Sequence, residues 1–169
     1  MSTVTSSDES RHSLDNAVGI VTEVRAGGGR IVAAGGCFDL LHRGHVALLQ
    51  HAGSLGDCLV VCINDDESVW RRKGGLRPVV PAGDRAEILL ALACVDAVVI
   101  FGEDSASRTL DAIRPDIFVK GDDYKLEEIT ERETVERNGG IVNVVARVPG
   151  LSTTSLLARL ARSAEGGRA

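Results

Sequence analysis

What the 169-residue sequence lacks narrows the field before any motif is read. It has no excess of positive charge. Its 19 Lys and Arg stand against 24 Asp and Glu, a formal net charge of −5, which argues against a general nucleic-acid binder. No apolar run reaches the length of a membrane span, and residues 1–13 are polar rather than signal-like, so a cytoplasmic protein with no membrane partner is expected. The four cysteines, Cys37, Cys58, Cys62 and Cys94, form no C-x-x-C pair and lie in apolar segments. Buried reduced thiols are expected from that, not disulfides or zinc ligands, and no metal-binding side chains are assigned. There is no internal repeat, and no G-x-G-x-x-G opens the first helix of the alternating pattern, which removes a dinucleotide-dependent dehydrogenase from consideration.

What is present is an ordinary soluble composition, 44% hydrophobic and 25% charged, at a length that suits one domain. Residues 1–13 read as a loose polar extension, 14–163 as the domain, and 164–169 as a tail or the start of a linker. Helical spacing runs from Leu14 to Arg25 and stops at Gly27-Gly28-Gly29. Apolar runs at Ile31–Ala34, Cys58–Ile63, Ala97–Phe101, Asp116–Val119 and Ile141–Val145 read as strands covered on both faces. Between them, helical patterns follow His45, Asp84, Ser107 and Glu127, with Asp84 a plausible cap for its helix. A last helix starts near Ser152. Strand and helix alternate, so the expected fold is α/β: a Rossmann-like domain with a five-stranded parallel sheet and helices on both faces. Ligands of such sheets bind beyond the carboxyl ends of the strands, and every polar cluster in this chain follows a strand.

The most informative stretch is Gly35-Gly36-Cys37-Phe38-Asp39-Leu40-Leu41-His42-Arg43-Gly44-His45. It joins the first strand to a helix and puts two histidines at that helix's start, on one face. Unpaired backbone N–H groups and the helix dipole favour an anion there. Two imidazole donors, a glycine between them and a helix N-terminus together make a phosphate cradle, and the Gly35-Gly36 turn lets backbone approach a ligand closely. Lys73 and Arg77, in a basic glycine-flanked loop, can reach over the site towards an acceptor phosphate. Arg85 stands at a helix start, where a cation is unhelpful unless it binds an anion. Ser152, Thr153 and Thr154 offer hydroxyls and the N–H groups of a new helix, either as caps or as phosphate ligands.

The G-x-F-D and His-x-Gly-His pattern resembles the signature of the nucleotidylyltransferase superfamily. Over about Arg30 to Leu160 the order of segments GCFDLLHRGH, RRKGGLRP, DRAEIL, RPDIFVKGDDY, NGG and LSTT is similar to the adenylyltransferase domain of bacterial ADP-heptose synthesis. It is also similar to glycerol-3-phosphate cytidylyltransferase. The resemblance implies transfer of a nucleoside monophosphate from a triphosphate to the phosphate of a small acceptor, with Mg²⁺ and release of pyrophosphate. By the same resemblance His42 and His45 stabilise the transition state, and Lys73 and Arg85 bind phosphates of nucleotide or acceptor. Gly35, Gly36, Cys37, Phe38, Gly44, Lys120, Gly121, Asp122, Ser152, Thr153 and Thr154 hold the nucleotide. Asp39 and Arg77 serve the acceptor. A homodimer is implied as well.

Two departures bear on the substrates. Ala34-Gly35-Gly36 replaces the Thr-Asn-Gly usual in heptose adenylyltransferases, and Asp122 replaces a glycine in the Lys-Gly-Gly-Asp-Tyr run. The favoured expectation is ATP with D-glycero-β-D-manno-heptose 1-phosphate. The alternative is CTP with a small phosphate or phosphonate such as glycerol 3-phosphate or phosphoethanolamine, and a non-catalytic nucleotide-binding module is the remaining class. Trp70 would narrow the acceptor pocket or cover a sheet edge. With no sugar kinase segment before the motif, the chain reads as a stand-alone enzyme or as one domain of a longer one.

Overall fold

The computed structural model describes residues 10–75, 77–122, 126–146 and 150–166. Residues 1–9 of the loose segment expected at 1–13, the Asp123-Tyr124 pair and residues 167–169 of the tail expected at 164–169 lie outside the described residues.

Five short strands form the centre: β1 (Ile31–Gly36), β2 (Cys58–Asn64), β3 (Ala97–Phe101), β4 (Ile117–Gly121) and β5 (Ile141–Val145). All pair in parallel, in the order β3-β2-β1-β4-β5. Parallel neighbours need crossovers, and the helices α1 (Leu14–Ala26), α2 (Arg43–Gly53), α3 (Asp66–Lys73), α4 (Ala82–Leu90), α5 (Ser107–Ile113), α6 (Arg132–Arg137) and α7 (Thr153–Gly166) flank or link the strands. Side chains alternate across the sheet with period two. Ile31, Ala33, Val60, Cys62, Val99 and Phe118 pack with Ala17 and Val21 of α1, Leu110 and Ile113 of α5 and Val135 of α6. On the other face Val32, Ala34, Leu59, Val61, Ile63, Val98 and Val119 pack with Leu49 and Ala52 of α2 and Ala86 and Leu89 of α4. The expected α/β architecture, with helices on both faces, is what the chain adopts.

The winding direction reverses at β1. After β2 and β3 are laid on one side of it, the chain returns to place β4 and β5 on the other. Pairing between β1 and β4 ends at Ala34 with Val119, short of the last residues of both strands, and such a reversal is where open parallel sheets form their crevice.

Four local expectations differ from the structure. Residues 10–13 are not a loose extension: Ser13 caps α1 by accepting the Asn16 N–H at 3.2 Å, and His12 is buried with its carbonyl accepting the Ile100 N–H at 3.1 Å. The basic stretch at Arg71–Lys73 is helical rather than loop. Asp65 caps α3 through the Ser68 N–H at 2.7 Å, and acidic residues in its first turn with basic ones in its last suit the dipole. Asp84 is not the cap of α4, which begins earlier, after Pro81, whose carbonyl accepts the Arg85 N–H. The single helix expected over Glu127–Arg137 is broken into a 3₁₀ turn (Leu126–Glu128) and α6, and the break lets both Ile129 and Glu131 turn inward and become buried.

Candidate active site

A cleft of about 500 Å³ opens at the β1/β4 reversal. Its rim begins at the turn between β1 and α2. Gly35, one residue before the end of β1, lies against Phe118 of β4, and a Cβ there would stand 2.9 Å from the Phe118 ring, so this close approach needs glycine. The chain then passes through Phe38 and Leu40, two non-glycine residues in the left-handed region (φ 48° and 49°). Backbone held this way costs about 1–3 kcal/mol per residue and persists where surrounding structure enforces it. Here the enforcement is visible: Phe38 is buried against the core, and Asp39 is 1% exposed.

His42 and His45 form a reciprocal cap on α2. His42 Nδ1 accepts the Gly44 N–H at 3.1 Å and the His45 N–H at 3.4 Å, while His45 Nδ1 accepts the His42 N–H at 3.4 Å. The rings stack with centroids 3.8 Å apart, and Phe38 lies tilted on His45 at 5.2 Å. Because both Nδ1 atoms accept, each neutral ring carries its proton on Nε2. Burial lowers the pKa of His42. Burial, then the neighbouring His42, pushes His45 down to about 4, with Arg77 acting in the same direction and Asp39 opposing. At neutral pH the cradle therefore consists of two uncharged donors.

Asp39 ties the turn to the basic loop. Its carboxylate accepts Arg77 Nε at 2.5 Å, the Val79 N–H at 3.1 Å and the Val80 N–H at 3.0 Å. Burial works against its charge, but the N–H groups of Val80 and Val79 and the Arg77 guanidinium outweigh it, so its pKa is lowered. Its carbonyl accepts Thr153 Oγ1 at 2.8 Å, joining the start of α7 to the same turn. Ser152 and Ser155 cap that helix reciprocally, at 3.0 and 3.1 Å.

Most of the residues singled out in the sequence meet here. Gly35, Gly36, Cys37, Phe38, Asp39, His42, Gly44, His45, Lys73, Arg77, Lys120, Gly121, Ser152, Thr153 and Thr154 all line the cleft. Two do not. Arg85 is 2% exposed, and its guanidinium is spent on the carbonyls of Val80 (2.9 Å) and Cys37 (2.6 Å) and on Asp66 (2.8 Å). It braces the turn from behind and is corrected from phosphate ligand to scaffold. Asp122 is exposed, donates its N–H to Val145 at 3.0 Å and is not part of the lining. Asp39 lines the cleft, yet its carboxylate is committed to Arg77 and to backbone, so it anchors the loop rather than reaching for an acceptor. Trp70 is 60% exposed and outside the cleft.

The sequence reading missed Leu48, Asn64, Arg72, Phe101, Ala106, Glu131 and Leu151, which complete the lining. Asn64, at the end of β2, was legible as a strand-terminal polar residue. Glu131 gave no signal, because its burial follows from the break before α6. There it pairs with Lys120 at 2.6 Å. Burial raises the Glu131 pKa, but the Lys120 charge and hydrogen bond together with backbone N–H groups bring it below the ordinary value. The cysteines are free thiols, and burial pushes Cys58 up to about 11 and Cys62 up to about 12.

A family model described as cytidylyltransferase-like matches residues 33–159. The chain belongs to the cytidylyltransferase-like family. It is a nucleotidyltransferase with the Rossmann-like fold of that family. The bifunctional protein HldE of Streptomyces coelicolor is 52% identical over 150 residues, covering 89% of this chain and 32% of that protein. HldE of Geobacter sulfurreducens is 46% identical over 150 residues, 89% of this chain and 31% of that protein. The chain thus spans about a third of the length of these curated relatives. Among solved structures, the lipopolysaccharide core biosynthesis protein from Thermoplasma volcanium matches with a TM-score of 0.59 at 31% identity, over 71% of this chain and 97% of that one. Among the described residues, no helix is long and apolar enough to cross a membrane.

Proposed function

We propose that the cleft transfers AMP from ATP to D-glycero-β-D-manno-heptose 1-phosphate, giving ADP-heptose and pyrophosphate. The observation that carries the reading is the stacked His42–His45 pair, uncharged and with both Nε2–H groups available, at the N-terminus of α2 and facing Lys73, Arg77 and the Ser152–Thr154 helix start across one cleft. The similarity to the HldE proteins and to the Thermoplasma lipopolysaccharide core protein favours the sugar phosphate over other acceptors.

The reaction asks little covalent chemistry of the protein. An oxygen of the acceptor phosphate attacks the α-phosphorus, the α–β bridging bond breaks, and pyrophosphate leaves. Rate comes from holding the two phosphates in line and from stabilising charge on the phosphoryl oxygens. His42 and His45 donate from Nε2 to α- and β-phosphate oxygens, and the dipole of α2, whose first N–H groups are capped by the histidine Nδ1 atoms, adds to that field. Neutral rings suit this role, since they donate without a proton being lost or gained. The Thr153 hydroxyl and the Ser152 N–H are taken by Asp39 and Ser155, so the Ser152 and Thr154 hydroxyls and the N–H groups of Thr153 and Thr154 hold the triphosphate. Lys73, at the end of α3, and Arg77, fixed by Asp39, close on the acceptor phosphate and the departing pyrophosphate. Gly35, Gly36 and Gly44 keep backbone close to the nucleotide, with Cys37, Phe38 and Gly121 beside it.

Among the described residues no group of three or more His, Cys, Asp or Glu could hold a metal ion, and the Asp39 carboxylate is occupied by Arg77. The Mg²⁺ implied by the family resemblance would enter with the triphosphate as part of the substrate and offset the charge of its phosphate oxygens. The relatives' greater length supports a second catalytic domain on the same polypeptide or a separate partner enzyme, and a homodimer accords with the family resemblance.

The test is pyrophosphate release with ATP, CTP, GTP and UTP against heptose 1-phosphate, glycerol 3-phosphate, phosphoethanolamine and a hydroxyalkyl phosphonate. Turnover confined to ATP with the heptose phosphate supports the reading. CTP with a small acceptor replaces it.

A further inference from the structure

The cleft has two unlike walls, one from each layer of the fold. The α2 side carries the histidine pair and Phe38. The opposite layer contributes Phe101, Ala106 and the buried pair of Lys120 and Glu131. A carboxylate is a poor neighbour for a triphosphate, so this second wall has a different task. Its chemistry is specific. Glu131 is 3% exposed and lines the cleft. One oxygen, Oε2, accepts Lys120 Nζ at 2.6 Å and Thr130 Oγ1 at 3.2 Å. The other, Oε1, has the Ala106 N–H at 3.5 Å, the outer limit of a hydrogen bond. The backbone N–H of Glu131 also hydrogen-bonds the carboxylate, so the group is held in one orientation at the cleft wall.

A buried ion pair is also weak as a stabilising device, because well-packed apolar side chains of similar volume do as well or better. Stability alone therefore gives no reason for charge in this wall.

We propose that Glu131, held in place by Lys120, is a specificity-determining residue that accepts hydrogen bonds from hydroxyl groups of a polyhydroxylated acceptor. A carboxylate oriented by an ammonium group reads hydroxyl donors, and Phe101, lining the same cleft, supplies an apolar surface for the carbon skeleton of a sugar. The inference rests on the sugar-phosphate reading above and deepens it: the histidine wall takes the phosphates, and the Glu131 wall selects the acceptor by its hydroxyls. Ribose hydroxyls of the nucleotide share that chemistry, and the experiment separates the two sources.

Steady-state kinetics of the full chain and of Glu131→Gln would be measured with heptose 1-phosphate, a set of its monodeoxy analogues, glycerol 3-phosphate and ATP. The loss of a charged, buried hydrogen-bond acceptor should raise the acceptor KM about tenfold, leaving the ATP KM within about twofold. One deoxy analogue should show no difference between variant and parent, because its missing hydroxyl is the one Glu131 reads. A rise in the ATP KM, or an equal loss for every acceptor including glycerol 3-phosphate, overturns the proposal. If Glu131→Gln does not fold, the parent enzyme alone decides. Equal KM values across the deoxy series overturn the inference, and a selective loss for one or two analogues upholds it. Absence of parent turnover with heptose 1-phosphate sinks the sugar-phosphate reading and this inference together. Parent turnover with an unchanged Glu131→Gln profile sinks only the inference.

Discussion

Asp39 grips Arg77 across a gap of 38 residues in sequence, its Oδ2 2.5 Å from the guanidinium Nε, and so couples the histidine turn to the basic loop. The same carboxylate holds the N–H groups of Val79 and Val80. Asp39→Ala removes three partners at once and leaves Arg77, 16% exposed, without its counter-charge. A destabilisation of about 3–5 kcal/mol is expected. Arg77→Ala should cost less, because the two N–H groups still satisfy Asp39, while its effect on turnover should be large. Denaturant melts of both variants, set beside pyrophosphate release, check the ordering.

Arg85 is a brace, and its variants should behave as such. Arg85→Met strips the Cys37 and Val80 carbonyls of a shared donor and should lower stability by about 2–4 kcal/mol. Where folded protein remains, as at low temperature, KM for the nucleotide should match that of the parent. A tenfold rise in nucleotide KM in well-folded Arg85→Met would return this residue to the phosphate site.

Gly35 marks the closest approach of β1 to Phe118. In Gly35→Ala the new methyl would meet a fully buried ring at 2.9 Å, so strand or ring must shift. Overpacking of this kind costs about 1–3 kcal/mol. It should also shift the cleft floor beside Lys120, so thermal stability and turnover should fall together.

The histidine pair gives the protein a pH signature. With its folded-state pKa near 4 and an unfolded value near 6.5, His45 binds a proton more readily in the unfolded chain. Its contribution favours the fold fully above about pH 6.5 and is lost as pH falls towards about 4. Urea melts of the parent should weaken across that window, and His45→Asn should flatten the dependence. An unchanged slope in the variant would show that other groups cause it.

The sheet was legible because its strands are runs such as Cys58-Leu59-Val60-Val61-Cys62-Ile63, apolar on both faces, and because glycines and prolines punctuate them. The phosphate end of the cleft was legible for a related reason: His42, His45 and Ser152–Thr154 are local in sequence, set by one turn and one helix start each. What the pattern hid depends on distant packing. Arg85 looked like a phosphate ligand because a helix start is a poor place for a cation, and only the fold shows the Cys37 and Val80 carbonyls that hold it. Asp39 looked like an acceptor ligand for want of any sign that the loop 38 residues later returns to it. Glu131 sits in a stretch as polar as any surface helix, and its burial is decided by the break before α6 and by Lys120 on β4.

The central claim is that the neutral His42–His45 pair stabilises nucleotidyl transfer in this cleft. The direct measurement is pyrophosphate release by His45→Ala with ATP and heptose 1-phosphate, beside a circular dichroism melt of the same protein. Removing one preorganised donor to a phosphoryl transition state should lower kcat about 10²–10³-fold, with the protein still folded. A folded His45→Ala that turns over at the parent rate would contradict the account.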